Sequence, residues 1–94
     1  MRNDNTLTPA IVTPPGESIR VELEAREWSQ RLLASKMKRP VQAINEILGG
    51  KRQITPETAI ELGRVFGTSA ELWLGMELRY RLHLARLNLR RKSA

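Results

Sequence analysis

Residues 28–52 read WSQRLLASKMKRPVQAINEILGGKR, two short helical patterns on either side of a Lys38-Arg39-Pro40 break. Ser29 can cap the first pattern by accepting a hydrogen bond from a free backbone N–H of its opening turn. Leu33 and Met37, four apart, share one helix face, and Ala34 is small where a second helix would cross. Pro40 cannot continue the first helix but suits the first turn of the next. Ile44, Ile47 and Leu48 give the second helix an apolar face, and Gly49-Gly50 ends it. Val41, Gln42, Asn45 and Glu46 then point away from the core. Two helices joined this way form a helix-turn-helix, whose second helix can enter the DNA major groove.

The outer residues have the right chemistry for base edges. Gln and Asn can pair bidentately with adenine, Glu can accept from cytosine, and Val can touch a thymine methyl. Helical hairpins are common in proteins that never meet DNA, so the pattern alone does not decide. Charge adds weight: residues 29–52 hold Arg31, Lys36, Lys38, Arg39, Lys51 and Arg52 against Glu46 alone. These cations bracket the outer face, where phosphates would lie. A solvated basic surface is the plainer alternative.

Outside this stretch, the 94-residue chain carries a net charge of +6 and 40% apolar residues. One all-α domain with a modest core is expected, and an acidic partner is favoured. There is no cysteine, hence no disulfide or thiolate chemistry. No run of about 18 apolar residues exists to cross a membrane, and residues 1–13 lack an apolar secretion signal. Cytoplasmic location is expected. Three segments follow: an arm at residues 1–13, a helix-turn-helix domain at 14–89, and a basic tail at 90–94. A first helix opens at Pro14-Pro15-Gly16-Glu17 and rests on Ile19 and Leu23, with Val21 as a further candidate. Residues 51–54 form a loop. Thr55 caps a fourth helix with Pro56 at its first position, buried through Ala59, Ile60, Leu62, Gly63, Val65 and Phe66. Thr68-x-x-Glu71 reads as a capping box opening the fifth.

That last helix is apolar on two sides. Leu72, Trp73, Met76, Tyr80, Leu84 and Leu87 fall on one; Leu74, Leu78, Leu82, Ala85 and Leu89 fall on the other. Polar seams run between, one through Glu77, Arg81 and Asn88, the other through Arg79, Arg86 and Arg90. A five-helix domain can cover one side, so the second is expected to meet a twin subunit or a partner protein.

Catalysis is not expected. The one histidine, His83, borders an apolar face, and the one aspartate, Asp4, lies in the arm, leaving no credible triad. No metal-ligand spacing appears, and no cofactor or small-molecule substrate is implied. Gly49-Gly50-Lys51 lacks the frame of a phosphate-cradling loop.

Several runs together carry a family resemblance: Pro15-Gly16-Glu17, then Ser29-Gln30 with Leu33-Ala34, then INEIL at residues 44–48 followed by Gly50-Lys51-Arg52. ITPETA at 54–59, FGTSAELWL at 66–74 and Arg79-Tyr80 complete it. The chain resembles the HigA-type antitoxins, or VapI group, of the xenobiotic-response-element (XRE) class. Residues 54–74 are the most specific part. The resemblance implies a lambda-repressor-like five-helix domain with an extended C-terminal helix. It also implies a bacterial homodimer that binds double-stranded operator DNA, represses its own operon and neutralises a RelE-like (HigB-type) mRNA-cleaving toxin. It places a DNA-facing role on Gln30 and base reading on Val41, Gln42, Asn45 and Glu46.

Three departures stand out. The family turn, usually Gly followed by an apolar residue, is Lys38-Arg39; a left-handed Lys38 would cost about 1 kcal/mol. Pro14 stands where the family often has His. The C-terminal end is also richer in arginine. Because RelE-like toxins are basic, the acidic first helix, with Glu17, Glu22, Glu24 and Glu27, is the candidate toxin surface. The alternatives are a stand-alone dimeric repressor without a toxin and an RNA-binding protein. The latter is weakened because Trp28, Phe66, Trp73 and Tyr80 all occupy core-like positions and offer no stacking platform.

Overall fold

A computed structural model of the chain describes residues 12–93. Among these residues are five helices: α1 (Pro15–Arg26), α2 (Gln30–Met37), α3 (Val41–Leu48), α4 (Pro56–Phe66) and α5 (Ala70–Ser93). The fold is all-α, and no strand occurs among the described residues. The expected arm lies, up to residue 11, outside the described residues.

Local chemistry sets the helix starts. Ser29 Oγ accepts from the Leu32 N–H at 3.0 Å, and Thr55 Oγ1 accepts from the Thr58 N–H at 3.2 Å. At α5 the cap is Ser69, whose Oγ accepts from the Leu72 N–H at 3.1 Å. The capping box expected at Thr68 and Glu71 therefore sits one residue too early. The Thr68 hydroxyl instead accepts from the Trp73 indole N–H at 2.7 Å, satisfying a donor on a ring that is almost wholly buried.

Helices α1 and α4 end on one device, in which a left-handed residue turns the chain and the following amides cap the last carbonyls. In α1, Glu27 (φ 58°) is that residue, and the Trp28 N–H donates to Leu23 O at 2.9 Å. In α4 it is Gly67 (φ 74°), with the Thr68 N–H on Gly63 O at 2.9 Å.

Packing follows the apolar periods. The core gathers Ile19 and Leu23 from α1, Leu33 and Met37 from α2, and Ile44, Ile47 and Leu48 from α3. Ile54 joins from the loop, with Ala59, Leu62 and Phe66 from α4 and Trp73 from α5. Phe66 lies between Trp28 and Trp73, with ring centroids 5.9 and 5.8 Å away. Arg26 pairs with Glu22 and donates to Phe66 O at 2.9 Å, tying α1 to the end of α4. At Gly16, an added Cβ would fall 2.4 Å from Leu48 O, so α1 meets the end of α3 at backbone distance.

Two expected core residues face out: Val21 is 62% exposed and Ile60 61%. Their helices bury stripes on which Ile19 and Leu23, or Ala59 and Leu62, already meet the neighbours. Glu77, expected in a polar seam, is only 7% exposed and pairs with Arg81 one turn on. Helix α5 continues through Arg90, Arg91 and Lys92, the first residues of the expected tail, where cations suit a helix C-terminus. No helix among the described residues is long and apolar enough to cross a membrane.

Candidate nucleic-acid interface

The turn between α2 and α3 runs through a left-handed residue, a residue before proline and the proline itself. Lys38 is left-handed (φ 56°, ψ 45°), its N–H donates to Ser35 O at 3.1 Å, and the Arg39 N–H donates to Ala34 O at 3.0 Å. Pro40 disfavours helical geometry at Arg39 and is the N-cap of α3, at φ −62°, ψ 146°. The left-handed Lys38 that the sequence made a condition of the turn is thus present. Its side chain is exposed and makes no ion pair with another described residue. Arg39 turns the other way. Its Nε and Nη2 donate to Oε1 and Oε2 of Glu61 on α4 at 2.6 and 3.2 Å. That bond holds the guanidinium pKa above its ordinary value, against the opposing effect of burial.

Helix α3 buries Ala43, Ile44, Ile47 and Leu48. This leaves Gln42 and Asn45 exposed and Glu46 half-exposed, while Val41 is half-buried at the edge of the core. Helix α3 ends at Gly49. Gly50 adopts φ 77°, and the Gly50 and Lys51 amides donate to Ile47 O at 3.1 Å and Glu46 O at 2.9 Å. This reversal returns the chain over the last turn of α3. Arg52 Nε and Nη2 both donate to Glu46 Oε1, at 2.9 and 2.6 Å, and Gln42 Nε2 donates to Glu46 Oε2 at 3.4 Å. The hydrogen bonds from Arg52 lead in holding the Glu46 carboxyl below the usual carboxylate range.

Of the residues expected to meet the DNA backbone, Arg31, Lys36, Lys38 and Lys51 are exposed and Gln30 is half-exposed at the start of α2. The Lys36 ammonium lies 4.7 Å from the Trp28 ring centre. Neither the Arg39–Glu61 nor the Arg52–Glu46 pair was foreseen. The first spans 22 residues, and the second spans six, outside the three-or-four spacing that reveals pairs within a helix. Gly49-Gly50 was the available signal for the second, since a reversal there must bring the next residues back toward α3.

The acidic residues of α1 divide. Glu17 pairs with Arg20 at 3.5 Å and Glu22 with Arg26. Glu24 and Glu27 are exposed and line an open groove with Glu17, Trp28 and Gln30. On α5, Leu74 packs partly against the core, whereas Leu78, Leu82, Ala85 and Leu89 are exposed.

A capped helix, a three-residue turn and a second helix with a polar outer face define a helix-turn-helix protein. Comparison with known proteins agrees. The chain matches the helix-turn-helix family model HTH_3 over residues 19–73. It is 41% identical over 78 residues to Virulence-associated protein I of Dichelobacter nodosus, covering 82% of this chain and 70% of that protein. An addiction module antidote protein of the HigA family from Coxiella burnetii superposes with a TM-score of 0.81 at 32% identity, covering 88% of this chain and 91% of that one. The antitoxin HigA of Pseudomonas aeruginosa, solved with the higBA promoter, gives the same score and identity over 87% and 90%. The chain belongs to the helix-turn-helix family, in the HigA/VapI-type group of its XRE class. That family comprises DNA-binding regulators rather than enzymes.

Proposed function

We propose that this chain is the antitoxin of a type II toxin–antitoxin module, acting in the bacterial cytoplasm and on the nucleoid when DNA-bound. Helix α3 reads a double-stranded operator through Gln42, Asn45, Glu46 and Val41, and the chain thereby represses its own operon. Gln30, Arg31, Lys36, Lys38 and Lys51 contact the flanking phosphates. Arg39 and Arg52 stand on the same rim, with their guanidinium groups already held by Glu61 and Glu46. The observation that carries this reading is the outward presentation of two amides, Gln42 and Asn45, on a helix that exposed cations flank in sequence. The operator complexes of the Pseudomonas aeruginosa relatives support it.

The partner neutralised by the chain is a RelE-like, HigB-type ribonuclease, and the chain works as a homodimer. Glu24 and Glu27 are the strongest candidates for the toxin contact, because they are exposed and make no ion pair with another described residue. Glu17 and Glu22 flank them.

The test is genetic and direct. The product of the gene adjoining this one, expressed alone, should arrest growth, and co-expression of this chain should restore it. E24K/E27K should restore growth poorly while still silencing a reporter driven by the chain's own upstream region. Silencing without any growth-arresting neighbour would instead identify a stand-alone repressor.

A further inference from the structure

We propose that Arg52 is a positioning residue for base reading: it fixes the Glu46 carboxylate, which in turn fixes the amide of Gln42. The proposal rests on the reading that α3 contacts DNA bases. It departs from the simpler role for a rim arginine, which is to meet a phosphate.

The chain of contacts starts in the backbone. With Gly50 at φ 77°, the amides of Lys51 and Arg52 both donate to Glu46 O, at 2.9 and 3.2 Å. Arg52 is therefore anchored by its main chain beside the residue that its side chain holds. Its guanidinium then delivers two hydrogen bonds to one oxygen, Glu46 Oε1. Both donors converge on that one oxygen, so they hold Oε1 at the guanidinium edge and leave Oε2 free to accept from Gln42.

Glu46 passes the constraint on. An ionised carboxylate only accepts hydrogen bonds. The Gln42 amide must therefore turn its NH2 group toward Glu46 Oε2, as it does at 3.4 Å. This assigns the two ends of the amide. The carbonyl oxygen and the second N–H remain for a base edge, the pair that adenine takes. A free glutamine at an exposed helix position would flip and sample several rotamers, and each rotamer must be frozen on binding. A glutamine held by Glu46 presents one donor–acceptor pattern. The exposed ion pair adds little to stability, so its effect falls on orientation.

Phosphate contact and positioning make opposite forecasts. A phosphate contact lowers affinity for every sequence alike, reduces the salt slope by about one contact, and is largely kept by lysine. A positioning residue acts on the preferred sequence only, and lysine, a point charge without the guanidinium edge, does not replace it.

The experiment uses the full chain with two probes: a duplex selected by the wild-type protein from a random pool, and a scrambled duplex of equal length. Binding is measured across a salt series for wild type, R52A, R52K, Q42A and Q42A/R52A, with melting temperatures as the folding control. R52A and R52K should each reduce affinity for the selected duplex by about tenfold and leave the scrambled duplex and the salt slope unchanged. In the Q42A background, R52A should cost little more, and repeated selection on R52A should show a relaxed adenine preference at one base pair. Equal losses on both duplexes with a reduced salt slope, or R52K binding like wild type, would overturn the proposal. Failure of wild type to select any duplex would remove the base reading beneath it.

Discussion

Arg39 and Glu61 join the turn of the helix-turn-helix to α4 through a two-point ion pair, with N–O distances of 2.6 and 3.2 Å. Both side chains are about one-quarter exposed, enough shelter for the pair to count but not enough to make it a buried one. R39A should cost about 1 kcal/mol, read as a lower midpoint in urea. E61Q should cost no more, and adding it to R39A should change little, because one interaction is being removed twice. The arginine pKa is raised, so its contribution is complete below the ordinary arginine value and lost only above the raised one. The R39A deficit should therefore be flat from about pH 6 to about pH 9. A deficit that shrinks across that window would assign the effect to another group.

Lys38 offers a test in which stability and binding move in opposite directions. Its left-handed backbone costs about 1 kcal/mol that glycine would not incur. K38G should raise stability by about that amount, several degrees in melting temperature for a domain of this size. The same variant should bind all DNA sequences less tightly and show a shallower salt slope, because an exposed cation on the rim is gone. K38G that binds like wild type would take Lys38 out of the DNA contact and leave only its strain.

Much of this was legible in the chain because it is local. Ser29 and Thr55 announce their helices through a hydroxyl at the right offset, and Lys38-Arg39-Pro40 cannot be helical throughout. The errors arose where tertiary contact overrides local pattern. Thr68 has the chemistry of a cap, but the Trp73 indole claims its hydroxyl and Ser69 takes over. Glu77 looks like a surface residue on a helical wheel, yet α5 rolls it inward with Arg81 beside it. Of the candidate interface, the outward placement of Gln42 and Asn45 was readable from the apolar period of α3, whereas Val41, expected to point away, packs against the core. Which interface residues are already held was not readable, because the Arg39–Glu61 and Glu46–Arg52 pairs depend on how the chain folds back.

Gly16 is a steric requirement rather than a flexible joint. A Cβ there would stand 2.4 Å from the Leu48 carbonyl oxygen and 2.9 Å from Leu48 Cα, both backbone atoms that cannot swing aside. G16A should push α1 away from the end of α3 and cost about 1–3 kcal/mol. Because α3 carries the outer face, operator affinity should fall with stability. Unchanged melting for G16A would mean that α1 can shift freely against α3.

Base reading and phosphate contact separate cleanly by substitution. Q42A and N45A remove exposed amides that pack against nothing in the core. Each should cost about 1–3 kcal/mol on the operator, with little change on random DNA and relaxed preference at one base pair. K51A should weaken both DNAs alike. Equal losses for Q42A or N45A on both would remove that residue from base reading.

The outer side of α5 is the remaining test. Leu78 is 61% and Leu82 41% exposed, one turn apart on a helix that projects past the core. Burying a leucine is worth about 1.5–3 kcal/mol, so two of them from each of two chains are a substantial reason to associate. A pair of helix-turn-helix units should then sit about 34–36 Å apart on a near-palindromic site. L78E/L82E should therefore convert a dimer to a monomer in sedimentation equilibrium. Helical content should hold, since neither residue lies in the core, and operator affinity should fall steeply because each half-site must now be found separately. A variant that remains dimeric would move the self-contact to another surface, with exposed Val21 and Ile60 next in line. A wild-type chain that is already monomeric would leave the α5 stripe to the partner protein.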